Sequence, residues 1–166
     1  ANHDLLDEKW GGKTIIKDIS ALNGDGIEEL TELLVLETEL LELKANPDKP
    51  ARGAVIESEI TKGQGPVAWV LVQTGTLNVG DIFLCGETYG RVRALENTHG
   101  ESVDSADPST PVVVMGFNAP AMAGDQFLIV KDEKTARSIA DKRAHQSKLR
   151  SGPSGQHITL EDFYAQ

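Results

Sequence analysis

The chain has 166 residues, a formal net charge of −10 and 39% hydrophobic residues. That length holds one domain with flanking pieces, and no run approaches the roughly 20 apolar residues of a membrane-spanning helix. A chain this acidic does not hold nucleic acid by bulk charge, so any such contact must come from a local basic cluster.

The charge is unevenly spread. Residues 1–50 carry 5 basic and 12 acidic side chains, residues 51–130 carry 4 and 9, and residues 131–166 carry 7 and 5. The opening segment ANHDLLDEKW is acidic and has no apolar centre, so it does not read as a signal peptide. A single cysteine, Cys85, excludes an internal disulfide and fits a reducing compartment, with the cytoplasm as the expected location.

The first piece, residues 1–46, reads as one β-α unit. Lys13 to Ile19 predicts a strand, Ser20 to Gly26 a polar loop, and Ile27 onward a helix. Ile27, Leu30, Leu33 and Leu34 recur at helical spacing, and Leu40, Leu41 and Leu43 extend the apolar face. Asp25 is placed to cap this helix, Glu28 and Glu29 suit its positive end, and Asn46-Pro47 stops it. The junction Asn46-Pro47-Asp48-Lys49-Pro50 reads as a hinge. A lone strand and a leucine-rich helix cannot bury their apolar faces, so Ile27 to Leu43 is expected to pack on the next piece, self-associate or fray.

The second piece, residues 47–130, is rich in β-branched runs cut by glycine turns. Val67 to Gln73 and Ile82 to Cys85 are strands, separated by Gly75 and the Asn78-Val79-Gly80-Asp81 corner. Short strands at this spacing predict a small closed β-barrel, making the chain mainly β, with the β-α unit before it and a helix after it. Val79-Gly80-Asp81-Ile82-Phe83 is echoed by Ala123-Gly124-Asp125-Gln126-Phe127, each a Gly-Asp turn ahead of an apolar strand. Trp69 is expected inside the barrel or under a neighbouring helix. Cys85, inside an apolar strand, reads as a buried small hydrophobe.

The third piece, residues 131–166, begins with a basic helix over Asp132 to Leu149. Ala136, Ile139, Ala140 and Ala144 give it a thin apolar stripe. Ser151 to Gly155 reads as a flexible linker, and Thr159-Leu160-Glu161-Asp162 as a new helix start so near the last residue that a piece of a longer protein is expected.

Catalytic patterns are not evident. His3, His99, His145 and His157 are scattered, so no metal set is expected. Asp104, Ser105, Asp107 and Ser109 form a polar loop, and Glu28, Glu29, Glu32, Glu37, Glu39 and Glu42 a solvated helix face. Gly63-Gln64-Gly65 leads into Pro66 and a strand without the lysine and helix of a phosphate loop, and neither an Asn-Lys-x-Asp nor an Asp-x-x-Gly motif occurs.

The stretches GQGPVAWVLVQTGTLNVGD, TYGRVRAL and PSTPVVVMGF carry a family resemblance. Together they resemble the β-barrel second domain of translational GTPases, with wording nearest to the bacterial initiation-factor-two branch. The resemblance runs from about Trp10 to Gln166. It implies that residues 1–46 end a GTP-binding domain, 47–130 are the barrel, and 131–166 lead toward a further domain. Ser20-Ala21 then matches the guanine-contact motif of that family, with Leu22 where its lysine usually stands. GTP and magnesium belong to the intact parent, and this chain alone is expected neither to bind nor to hydrolyse GTP. The resemblance further implies contact with small-ribosomal-subunit RNA, through Arg52, Lys62, Arg91 and Arg93, the basic residues between positions 51 and 130. Other partners are the remaining domains of the same factor, and initiator tRNA through domains not included here; no membrane is implied. Two alternatives stand beside this: an adaptor barrel that binds protein, and the second domain of another translational GTPase.

Overall fold

A computed structural model describes residues 5–150 of the chain. The linker at Ser151 to Gly155, the helix start at Thr159, His3 and His157 lie outside the described residues. The chain divides after Lys44 into two compact units.

In the first unit a short 3-10 helix, Glu8–Trp10, is capped by the Asp7 carboxylate, which accepts from the Lys9 N–H at 3.0 Å. The expected strand at Lys13 to Ile19 does not form a ladder. Thr14 bridges Asp7 and Ser20 bridges Asp25, and no described strand lies beside the segment between them. A strand needs a neighbour to take its N–H and C=O groups, and local propensity cannot supply one. Helix α1 spans Ile27–Leu40. Its N-cap is Gly26 in the left-handed region (φ 74°), not Asp25. Asp25 instead accepts from Asn23 Nδ2 at 3.4 Å, and its carbonyl accepts the Ser20 N–H at 2.9 Å. The helix stops short of Leu43 because Glu42 takes a positive φ of 46°. No residue of α1 is fully buried, and Leu34, Val35, Leu36 and Leu40 are exposed.

The second unit is the barrel. Its strands are β1 (Arg52–Thr61), β2 (Gly65–Thr74), β3 (Leu77–Asn78), β4 (Ile82–Cys85), β5 (Thr88–Glu96), β6 (Ser102–Val103), β7 (Ser105–Ala106), β8 (Pro111–Phe117) and β9 (Gln126–Val130). The pairing order is β4-β9-β1-β2-β8-β5, and β5 pairs back to β4, so six strands close into a ring. All these pairs are antiparallel. Closure removes the free edges that an open sheet of this size would expose. The closed barrel is the fold the glycine-spaced strands predict.

Alternation along each strand fills the barrel. Val70, Val72, Phe83, Cys85, Val92, Leu95, Val112, Val114 and Phe127 are 0–1% exposed and form one cluster. Phe83 lies at its centre, with ring centroids 4.7 Å from Phe127 and 4.5 Å from Phe117. Each such side chain contributes about 1.5–3 kcal/mol by leaving water. The two Gly-Asp corners have the same geometry. Asp81 Oδ2 accepts from the Asn78 N–H and Asp125 Oδ2 from the Met122 N–H, both at 2.9 Å. Each corner launches one strand of the β4–β9 pair, which brings Phe83 and Phe127 together.

The junction Asn46 to Pro50 differs from the hinge its prolines suggest. The Asn46 carbonyl accepts from the Gly75 N–H at 2.9 Å, the Thr76 N–H donates to the Lys49 carbonyl at 3.2 Å, and Thr76 Oγ1 donates to the Pro47 carbonyl at 3.2 Å. A Cβ on Gly75 would overlap the carbonyls of Lys49 and Pro50, so the close seat needs glycine there. These residues are part of the barrel.

Helix α2 (Glu133–Arg150) follows β9. Asp132 caps it, accepting from the Thr135 N–H at 2.7 Å and the Thr135 hydroxyl at 2.8 Å. These bonds hold its carboxyl below the ordinary aspartate range. Ala136 and Ala140 are buried, and the helix lies against β4, β5 and β9.

Candidate nucleic-acid interface

Register places the barrel's cationic side chains. Phe83, Cys85 and Phe127 point into the core, so their neighbours Ile82, Leu84, Leu128 and Val130 face outward, where α2 lies. Leu84 is only 2% exposed although it faces away from the barrel interior. Arg91 is paired with Ile82, and Arg52 with Leu128. Both arginines therefore point outward: Arg91 lies on β5, a strand that α2 packs on, and Arg52 on β1, three strands from β5 either way around the ring.

The four sequence candidates are not equivalent. Arg91 is partly engaged: its Nη1 donates to the Gly80 carbonyl at 3.0 Å and braces the corner before β4. Arg93 shares its exposed face, as alternation predicts, and its stem passes over Gly116. Lys62 is exposed in the three-residue turn between β1 and β2. Nine residues of strand separate it from Arg52, about 30 Å at the rise of a β-strand. The fold thus pairs Arg91 and Arg93 on β5, puts Arg52 across the ring on β1, and leaves Lys62 at a distant tip.

Helix α2 brings cations that were not among the candidates. Lys134, Arg137, Lys142 and Lys148 are all exposed. Arg143 is half-buried and donates from Nη1 to the Gly86 carbonyl at 2.9 Å, pinning the helix to the β4–β5 turn. The signal that would have found them was the excess of basic residues after position 130.

Trp69 departs from expectation. Ala68, Val70 and Val72 take the inner face of β2, so Trp69 faces outward, half-buried, with Glu57 and Val113 as its cross-strand neighbours. It is neither in the barrel nor beneath α2, which packs on other strands. Cys85 is fully buried; burial pushes its thiol up to about 12, the Asp125 carboxylate adds to the rise, and Arg143 partly offsets it. At neutral pH it is a protonated packing group.

In the first unit Ser20, Ala21 and Leu22 begin a tight turn. The Gly24 N–H donates to the Ser20 carbonyl at 2.8 Å and the Asn23 N–H to Ser20 Oγ at 3.4 Å. The Ala21 N–H has no acceptor among the described residues, and Leu22 is 96% exposed. The described residues gather no group of three His, Cys, Asp or Glu side chains that could hold a metal ion.

Comparison with known proteins agrees with this architecture. The family profile described as Elongation factor G domain 2 matches residues 50–130. The chain is 49% identical over 164 residues to Translation initiation factor IF-2 of Thermodesulfovibrio yellowstonii, covering 99% of this chain and 22% of that protein. It is 52% identical to the factor of the same name from Carboxydothermus hydrogenoformans, covering 98% and 20%. The corresponding figures for Bacillus subtilis are 50%, 99% and 23%. The chain therefore spans about a fifth of the length of the curated relatives it matches. Among solved structures, GDP-bound aIF5B from Aeropyrum pernix superposes with a TM-score of 0.61 at 25% identity, covering 88% of this chain and 27% of that one. The apo form of translation elongation factor SELB from Methanococcus maripaludis agrees in fold, with a TM-score of 0.51 at 22% identity over 66% of this chain and 25% of that one. With the barrel, its register and these relatives together, the chain belongs to the translation initiation factor IF-2 family of translational GTPases.

Proposed function

We propose that this chain is the portion of an initiation GTPase that anchors the factor on small-ribosomal-subunit RNA in the cytoplasm. In this reading residues 1–46 close the GTP-binding domain, 47–130 form the anchoring barrel, and 131–166 lead toward the next domain. The observation that carries it is the pair of exposed arginines, Arg91 and Arg93, on the outer face of β5 in an otherwise acidic barrel. The chain itself performs no catalysis. GTP and magnesium are bound by the intact factor, with Ser20 and Ala21 offering the guanine edge a backbone contact and Leu22 leaving it less covered than a lysine would. Initiator tRNA and the remaining domains of the factor are partners of the whole protein.

The net charge of −10 favours a second reading, in which the barrel docks on a protein. Salt separates the two, because phosphate contacts weaken steeply as salt rises and an apolar interface hardly responds. The test is binding of the purified chain to small ribosomal subunits at low and moderate salt, with GTP titrated against the chain alone. Salt-sensitive binding without GTP binding is expected. Salt-insensitive binding would favour the protein adaptor, and no binding would overturn the anchoring role.

A further inference from the structure

We infer that the exposed face of helix α2 is itself an RNA phosphate-binding surface, and that it forms the centre of the contact which Arg91, on the adjoining strand β5, borders. This rests on the ribosomal reading above and assigns that contact to residues outside the barrel. Three observations carry it.

The first is charge. Within Glu133–Arg150 there are six Lys or Arg residues against two acidic ones, in a chain that is acidic overall. The described contacts do not neutralise them. Among the described residues the one ion pair on the helix is Arg137 to Asp141 at 3.8 Å, with side chains 70% and 71% exposed. Such a pair adds little to stability.

The second is geometry. Lys134, Arg137, Asp141, His145 and Lys148 follow one another at steps of three or four, so they form a single stripe, and Lys142 stands beside it. Neighbours at that spacing are about 5–6 Å apart, and the stripe runs about 21 Å along the helix. Three of its five members are Lys or Arg, and with Lys142 they offer four separate cations to a polyanion with repeating charges, which is a phosphodiester backbone.

The third is placement. Ala136 and Ala140 are buried where the helix packs, chiefly on β4 and β5, and Arg143 locks it to Gly86. The stripe therefore faces solvent on a fixed support, with Arg91 on the adjoining strand β5. A helix held only for solubility would mix its charges. Here Asp141 is the one acidic side chain in the stripe.

The test measures the affinity of the full chain for purified small ribosomal subunits across a salt series. The variants are K134Q/R137Q/K142Q/K148Q, D141N and K62Q, with folding checked by thermal melting. For the quadruple variant the dissociation constant is expected to rise about tenfold or more, and the slope of log affinity against log salt to fall by about two to three. D141N is expected to bind more tightly than wild type, a gain that misfolding cannot produce, and K62Q to bind as wild type. Unchanged affinity and slope in the quadruple variant, with wild type bound, would overturn the helix assignment and leave the barrel contact standing. Absence of wild-type binding would overturn both. A loss seen with intact subunits but not with their protein-free RNA would mean that the helix meets an acidic protein, and would also overturn it.

Discussion

Glycine, cysteine and arginine each have a defined task at single positions in this barrel. Gly90 and Gly116 lie where β5 and β8 approach most closely. A Cβ on Gly116 would overlap the Arg91 carbonyl, and a Cβ on Gly90 would overlap the Gly116 carbonyl. Gly116 also has φ 116°, outside the range of L-residues. Gly116→Ala is therefore expected to lower unfolding stability by about 2 kcal/mol or more, read by urea denaturation. Arg93→Ala, which removes only an exposed stem above it, should leave the midpoint close to wild type. Cys85 gives a pH prediction with a definite sign. Its folded pKa, pushed up to about 12, lies above its ordinary value, so the folded state favours the protonated thiol. The resulting stability is complete below the unfolded pKa and is lost as pH rises from there toward about 12. In Cys85→Ala that alkaline loss should be smaller. A thiol-specific disulfide reagent should be inert toward the native chain at mildly alkaline pH and fast after denaturation. Rapid labelling of the native chain would contradict the burial.

At the scale of elements, sequence pattern was most informative where alternation and turn chemistry agree. The apolar run at Val67, the corner at Gly80-Asp81 and its echo at Gly124-Asp125 are visible as letters, and the closed barrel follows from them. The helix over Asp132 to Leu149 was legible for the same reason, since a capping aspartate precedes an alanine stripe. Other features depend on partners that letters do not name. The strand expected at Lys13 to Ile19 has no described strand beside it, and Trp69 faces outward because the alternating frame of β2 gives the inner face to smaller residues. The junction was misread because prolines suggest a hinge, whereas the Thr74–Thr76 segment holds it with hydrogen bonds from across the sequence. Thr76→Val should remove the hydroxyl's bond to Pro47 or Asp107, costing about 1 kcal/mol locally. The readout is limited proteolysis: an aspartate-directed protease should cut before Asp48 slowly in wild type and faster in the variant. Equal rates would show that the junction is held by other contacts. The backbone free of these ties lies between the end of α1 and Asn46.

Across the whole molecule, charge and apolar exposure are segregated along the chain. The first unit carries most of the negative charge and exposes Leu34, Leu40, Leu41 and Leu43. The barrel buries its apolar side chains in one cluster, and the helix after it is cationic. Such a distribution fits a piece that works within a larger factor, meeting protein at its apolar end and phosphate at its basic end. The candidate site was half legible in the sequence. Arg52, Arg91 and Arg93 could be named from their letters, but only the strand order puts Arg91 on a strand that carries α2, Arg52 across the ring from it, and Lys62 at a distant tip. The most direct measurement places a photo-crosslinking residue at position 137 in one chain and at position 62 in another, each bound to small ribosomal subunits. Crosslinks to small-subunit RNA from position 137 and not from position 62 are the expected result. Crosslinks from 137 only to ribosomal protein, or RNA crosslinks only from 62, would contradict a phosphate-binding surface centred on the helix.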